Sequence, residues 1–500
     1  MKLSTFFQKL FSKSNLKVVL CVLLPVLFTL LTRSHIDNDS FDMLAQGREL
    51  FNHGIYHQDA LSMHEGLEIV VQNYGITILY WLAYSAFGAP SLYLYIIIAS
   101  IIISILLYKI NMVLTNRRQN MSLFFMLLTS FLLSFFGFMT SRPQLISYII
   151  FLLLIYLLEL YSKTKNPKYL FFIPLLSLIQ INLHASLWLM LPIVTGCYII
   201  DFLSKGQKIK PLVICLIVLC LVGLINPYGP KMISFIIGSY SDGYMHEYIQ
   251  ELQAFRPLEG TFPILYFAIL LSIIPCFYSK RKDIQLKYLL LYFGLLPLGL
   301  NTIKGMSQFI LVMFFPIITS YKTVHLDIIK LKQTTKNTLI YGGAIASVFL
   351  FAFLLIKKLP KIQNYPSRIM KDTIDILDTK VAEASQEKSD LKIYVGFNQG
   401  GYAEFRGYKP YIDPRAEVFL KANNKKEDIF KEYYELTTGR QDKTEFLKKY
   451  DFDYVLTTGE VDFMVNSNIE ETYNLIFESE ESEVKLYQKS PTKAESPSNS

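Results

Sequence analysis

Between residues 18 and 356 the chain alternates apolar runs of near-spanning length with short polar breaks. Taken one run to a helix, the pattern predicts eleven membrane spans: 18–32, 91–110, 121–139, 144–161, 169–182, 187–203, 211–226, 261–279, 286–300, 307–321 and 338–356. Several are shorter than the ~20 residues a perpendicular helix needs to cross ~30 Å of hydrocarbon, so local thinning or interfacial flanks must help. The run 76–88 (ITILYWLAYSAFG) reads either as a further span or as a helix lying at the interface. Beyond residue 357 the period changes. LKIYVGF (391–397), KPYIDPRAEVF (409–419), DYVLTT (453–458) and EVKLYQK (483–489) carry strand patterns, while EDIFKEYYELTTG (427–439) and DKTEFLKKY (442–450) are helical. A small α/β domain over 358–489 is expected, followed by a disordered tail, 490–500.

Charge chooses between the two readings of 76–88. If that run does not span, Lys2, Lys9, Lys13 and Lys17 share one side with the clusters Lys109/Arg117/Arg118, Lys163/Lys165/Lys168 and Lys205/Lys208/Lys210. Lys280/Arg281/Lys282/Lys287 and Lys322/Lys330/Lys332/Lys336 fall there too. The other side then holds only Arg33, Arg48, Arg142, Lys231, Arg256 and Lys304. Because positive residues accumulate in cytoplasmic loops, this arrangement predicts a plasma-membrane protein with a cytoplasmic N-terminus and an extracytoplasmic C-terminal domain. The first outer loop, 33–75, and an interfacial helix, 76–88, then belong to a transmembrane domain, 1–357. LLTRSHID offers no small-x-small cleavage site, so the first helix reads as retained.

Composition sharpens this picture. The chain is 52% hydrophobic and only 18% charged, against ~25% charged in ordinary soluble domains. Its net charge of +8 lies in short inter-span clusters, with no dense basic stripe carrying exposed aromatics, which argues against a nucleic-acid partner. All five cysteines sit in apolar runs without CxxC or Cys/His spacing, so neither a disulfide framework nor a zinc site is expected.

The same topology puts the polar corners on the outer face: DND (37–39), SRPQ (141–144), NLHAS (182–186), NPYG (226–229) and the turn before Lys304. In the first loop, Asp39 reads as an N-cap with Asp42 at the third helical position; Phe41, Leu44, Arg48 and Phe51 share a face, and Gly54 ends the helix. Asp37 has no capping role; if the segment is extended, Asp37 and Asp39 point to one side, and their close approach would raise one pKa toward that of a general base. DND also matches the Asp-x-Asp signature of soluble sugar transferases, but here it follows a span rather than a strand. Arg142, with Gln144 beside it, is either a snorkelling arginine or a bidentate phosphate clamp. His184, two residues after Asn182, is either a satisfied hydrogen-bonding residue or a ligand-binding or proton-transferring one. Lys304 breaks the charge rule, which favours contact with an anion. NPYG is first a turn.

These residues carry a resemblance. DNDSFDMLAQGRELFNHGIYHQDALS resembles the first outer loop of bacterial GT-C superfamily membrane glycosyltransferases, relatives of the protein mannosyltransferases. Their pattern runs roughly D-P-D-x-W-W-H-x-A-T-G-R, then H-G-x-P-x-x-D-P-F-S. Asp37, Asp39, Ala45, Gly47, Arg48, His53, Gly54, Asp59 and Ser62 stand at matching places. TSRPQLIS, NLHAS, INPYG with EYIQELQAF, and GGYAEFRGYKPYIDPRAE resemble later segments, in order along most of the chain. The chain departs from the pattern at Phe41-Asp42, where an aromatic pair is usual, and at VQNYG, where a Glu-Trp pair is usual.

The resemblance implies an α-helical polytopic GT-C-like protein acting as an inverting glycosyltransferase on the outer face. A polyprenyl-phosphate sugar would be the donor, and an envelope glycan, lipid or protein the acceptor. Asp39 is the better positional match to the family's base, with Asp37 beside it. Arg142 and Lys304 would hold phosphate, His184 sugar or phosphate, and Gln144, Asn182 and Arg48 would complete the binding set. No cofactor is expected, and a divalent metal has no support because a second acidic segment is missing. Two alternatives stand: a non-catalytic GT-C-like assembly protein working through 358–500, and a transporter. The transporter fits less well because Glu159 and Asp201 lie near helix ends rather than at mid-depth.

Overall fold

The computed structural model describes residues 13–31, 38–239, 243–256, 258–260, 262–278, 285–320, 368–457, 472–479 and 484–490. Asp37, the run 338–356, the lysine cluster 322–336 and the tail beyond 490 lie outside the described residues. The protein is mostly helical, 69% helix, with one small sheet near its C-terminus.

Among the described residues, three helices are long and apolar enough to cross a membrane: Pro90–Leu114, Gln144–Thr164 and Ala185–Ser204. Shorter apolar helices of 10–17 residues, among them Gln119–Phe135, Lys210–Val222 and Leu286–Asn301, account for other runs. Helix length among the described residues therefore does not support eleven spans. Proline also interrupts two of the runs. Pro174 lies where the run 169–182 divides into Lys168–Phe171 and Ile173–Leu183, and Pro316 where 307–321 divides into Ile303–Val312 and Phe315–Ser320. Proline supplies no backbone N–H for the preceding turn.

Contacts divide the chain into two compact units. Unit 1 holds Met1–His35, Phe87–Met232 and Ile249–Ile362; unit 2 holds Ile36–Ala86, Ile233–Tyr248 and Gln363–Ser500. This division does not follow the sequence boundary at 357. The first loop and the helix after it, grouped by sequence with the transmembrane domain, pack with the C-terminal segment instead.

The helices carrying candidate residues are, in chain order, α1 (Asn38–His53), α2 (Tyr74–Phe87), α3 (Gln144–Thr164), α4 (Ile173–Leu183), α5 (Met190–Ser204), α6 (Leu286–Asn301), α7 (Ile303–Val312), α8 (Phe397–Phe405), α9 (Ile429–Thr437) and α10 (Lys443–Tyr450).

Unit 1 is a helical bundle whose loops sort to two ends. At one end Tyr95 donates to Arg142 O, Arg142 meets Glu251, Ser147 meets His184, and Ile303 N donates to Gln253 O. At the other, Lys163 reaches Val113 O and Asn116, Lys165 bonds Gln207, and Lys205 bonds Asp201. The two ends of α3, from Gln144 to Lys163, stand about 29 Å apart at helical rise. One expectation fails at the lysine-rich end. Lys287, grouped by sequence with a cytoplasmic loop cluster and so expected to be solvated, is 1% exposed and paired with Glu159 at 2.6 Å. Tyr198 and Tyr288 both donate to the same carboxylate oxygen, so the buried charge on α3 is compensated from two neighbouring helices, α5 and α6.

Unit 2 is built on a five-stranded sheet of order β2-β1-β3-β5-β4, with β1 (Lys392–Tyr394), β2 (Lys409–Pro410), β3 (Tyr454–Thr457), β4 (Tyr473–Glu478) and β5 (Lys485–Lys489). β1 pairs in parallel with β2 and β3, and β5 runs antiparallel to β3 and β4. The segment 409–419 gives only two strand residues before Asp413 and Pro414 turn the chain. Tyr394, Tyr411, Phe446, Tyr450 and Phe452 pack ring against ring beside the sheet; such pairs add ~0.5–1.5 kcal/mol each beyond area burial.

Two glycines set the approach of the other pieces. A Cβ on Gly47 of α1 would stand 2.1 Å from Thr77 O of α2, and one on Gly400 of α8 2.2 Å from Ile412 O. Only glycine lets these backbones touch. The second contact carries Asp413 alongside α8.

Candidate functional site

In unit 1, five of the proposed binding residues, Arg142, Gln144, Asn182, His184 and Lys304, lie at one end of the bundle. His184 follows the last turn of α4, with Ser147 Oγ 2.7 Å from its Nδ1 and Ser186 Oγ 2.6 Å from its Nε2. Gln180 donates to Ser147 Oγ at 2.7 Å, so the serine and the imidazole belong to one buried hydrogen-bond chain. Burial, reinforced by the positive charge of Lys304, pushes the imidazole down to about 3. His184 is therefore a neutral hydrogen-bonding group through the physiological range.

Arg142 stands where a phosphate clamp was expected, but its guanidinium is bonded to Glu251 at 2.5 Å. Lys304, in the first turn of α7, is half-buried. Its ammonium makes no hydrogen bond or ion pair among the described residues. Its field acts on both His184 and Glu251. Gln144 is buried, its amide 3.4 Å from Phe138 O. Asn182 donates to Leu178 O and Ile225 O, fastening α4 to the next turn. That turn is the one expected at NPYG: Asn226 Oδ1 accepts from Tyr228 N, and Gly229 has φ +55°. Glu251, Ser147 and Gln180 were not singled out in the sequence, although Glu251 lies within EYIQELQAF.

In unit 2, α1 starts at Asn38, so Asp39 lies inside the first turn and is not its cap. Asp42 consequently sits in the second turn, away from the positive end of the helix. The C-terminal stop at Gly54 is as expected, with φ +80° and its N–H on Leu50 O. Arg48, offered as a substrate ligand, is engaged structurally. It donates to the Glu404 and Phe405 carbonyls at 2.9 Å each, closing the C-terminal turn of α8.

The densest polar cluster was not anticipated as a unit. Arg415, 5% exposed, donates to Asp59 at 2.6 Å, to Glu404 at 2.7 Å and to both oxygens of Asp413, and lies 3.5 Å from Asp42. Gln46 donates to both oxygens of Asp42. Burial lifts Asp42 up to about 8; Arg415 opposes this, and the charges of Asp413 and Asp39 add to it. Burial likewise holds Glu404 well above the usual carboxylate range. Asp59 goes the other way: burial raises it, but Arg415 and hydrogen bonds from Ser62 outweigh burial and hold it below its ordinary value. These residues come from the two quoted stretches DNDSFDMLAQGRELFNHGIYHQDALS and GGYAEFRGYKPYIDPRAE. The signal was thus present, as acid–base-rich segments, without the pairing.

Asp42, Glu404 and Asp413 bring carboxylate oxygens within 4.8 Å of one another, the kind of set that can hold a cation. The Arg415 guanidinium already supplies positive charge there. Elsewhere in unit 2 a groove of about 520 Å³ opens between α9 and α10, lined by Lys431, Glu432, Glu435, Arg440, Glu445 and Lys449 among others. Asp428 and Asp442, at its edges, cap the two helices. No family model matches this chain, and no curated protein matches it.

Proposed function

We propose that this chain is a multi-pass membrane glycosyltransferase of GT-C type, moving a sugar from a polyprenyl-phosphate donor to an envelope glycan, lipid or protein with inversion. In this reading it has about eleven spans, some short, with the lysine-rich end of unit 1 cytoplasmic and the end bearing Arg142, His184 and Lys304 outside. The separation of those ends, about 29 Å along α3, suits ~30 Å of hydrocarbon.

The observation that carries the reading is Lys304. A half-buried ammonium with no partner among the described residues, beside a neutral histidine, suits an incoming anion better than a resting structure. A phosphate leaving group gathers negative charge as the glycosidic bond breaks, and a fixed cation stabilises that charge most where water is scarce. Arg142 would contribute by exchanging its carboxylate partner for phosphate, and His184 would hold a sugar hydroxyl or phosphate oxygen. Asp39 would take the acceptor's proton, with Asp37 beside it. Arg48, Gln144 and Asn182 act as supports in this scheme.

The test is transfer of radiolabelled sugar from polyprenyl-phosphate donors to total envelope acceptors, comparing wild type with Asp39→Asn and Lys304→Ala. Loss of transfer in both, with folding intact, supports the enzyme; full transfer in both rejects it. A second reading, a non-catalytic envelope assembly protein, is favoured by the charged groove between α9 and α10. Charge reversals along that groove that abolish partner capture while sparing transfer would support it.

A further inference from the structure

Four carboxyl groups, Asp42, Asp59, Glu404 and Asp413, share one guanidinium in a buried pocket. Fully ionised, they leave three negative charges uncompensated where water cannot screen them. Other charges facing the cluster do not close the gap. From α1, Asp39 adds a negative charge near Asp42, and Arg48 adds a positive one near Glu404. His64 faces Asp59 from the loop, but burial lowers its pKa and keeps it neutral. One oxygen of Glu404 receives no N–H or hydroxyl hydrogen bond, although the residue is 1% exposed, and its carboxyl lies within hydrogen-bonding reach of the Asp413 carboxyl. A carboxylate so placed is most cheaply accommodated as the neutral acid.

We propose that this cluster is a proton-bound clasp, which fastens the loop segment 36–86 to the C-terminal segment of unit 2 by keeping Asp42 and Glu404 protonated, and which loosens as pH rises. The pieces it joins are far apart in sequence, so the clasp governs whether α1 and the loop after it stay seated.

The direction follows from linkage. Asp42 has an ordinary value of 3.8 and is raised to about 8 in the folded state. Between those values the folded protein holds a proton that the opened segment releases, so the clasp weakens as pH rises from about 4 to about 8. Above that, Asp42 is charged in both states and contributes no further change. Glu404, raised in the same sense, extends the loss to higher pH.

The test is chymotryptic cleavage of the full-length protein in detergent at pH 5, 7 and 9. The site is Phe51 to Tyr56, where Phe51 is 57% exposed. Each rate is divided by that of an unstructured peptide of the same sequence, which removes the protease's own pH dependence. Wild type should open at least about tenfold more readily at pH 9 than at pH 5, since each factor of ten needs about one unit of pKa shift. Asp42→Asn and Glu404→Gln should each protect the loop at pH 9 and leave pH 5 unchanged. A flat wild-type profile, or the same rise in both variants, overturns the proposal. Restoration of protection at pH 9 by Mn²⁺ or Mg²⁺ overturns it too, because the cluster would then be a cation site.

Discussion

Arg415 donates to Asp59 at 2.6 Å across 356 residues of sequence, and both side chains are buried. The contact joins the segment after α1 to the segment after β2. Its strength lies less in the attraction than in the cost of removing one partner, which strands an uncompensated charge away from water.

Arg415→Met should therefore destabilise unit 2 by about 3–5 kcal/mol. Arg415→Lys should recover only part of that loss, because an ammonium cannot present a planar fork to Glu404 and Asp413 together. Thermal unfolding followed by the fluorescence of Trp81, which lies under Arg48, reads the effect. Equal stability of the lysine variant and wild type would contradict the bidentate geometry.

Asp59 predicts an acid limb. Its folded pKa lies below its ordinary value of 3.8, so its stabilisation is present above about pH 4 and is lost as pH falls through the folded value. Asp59→Asn should weaken unit 2 at neutral pH and flatten its unfolding profile on the acid side. An unchanged acid profile in the variant would assign that limb to other carboxyls.

Gly400→Ala should push residues 412–413 away from α8, because the added methyl would meet Ile412 O at 2.2 Å. The expected loss is about 1–3 kcal/mol, the usual range for overpacking. Since Asp413 moves with that backbone, the variant should also lose the protection that the clasp gives the loop. Hydrogen exchange over α1 and α8 would show both effects.

Lys304→Ala should lower sugar transfer about a hundredfold, the scale for losing one preorganised charge-stabilising group. Lys304→Arg should keep a substantial part of the rate. The variants are compared at saturating donor, so that loss of kcat is separated from loss of binding. An alanine variant with full kcat and raised KM would restrict Lys304 to donor binding.

His184 should leave no titration between pH 5 and 8 in the transfer rate, since its folded pKa is about 3. His184→Gln should alter the rate without altering the shape of that profile. If wild type shows a limb near pH 6.5 that the glutamine variant removes, His184 titrates during the reaction.

Much of the outline was legible from one-dimensional pattern. The apolar runs gave helices, the change of period after residue 357 marked the region of the sheet, and Gly54 and NPYG ended elements where their φ values require it. β1, β3 and β5 lie within the runs that alternate in the expected way, whereas β4 (YNLIFE) was missed; it is an edge strand with exposed positions and no clean alternation. The breaks near Pro174 and Pro316 were not read from the runs, because hydropathy averages over a residue that hydrogen bonding cannot.

Side-chain roles were legible only where they are local. Whether Arg48 faces a ligand or closes α8, whether Arg142 is engaged by Glu251, and whether Lys304 finds a partner among the described residues depend on residues tens to hundreds of positions away. No spacing rule encodes those distances. The acid cluster shows this most plainly. The sequence by itself determined that Asp42, Asp59, Glu404, Asp413 and Arg415 exist in polar, glycine-punctuated segments. Only the tertiary structure decided that four carboxyls would share one guanidinium out of reach of water, because burial and Coulomb repulsion are properties of positions in space, not of positions along a chain.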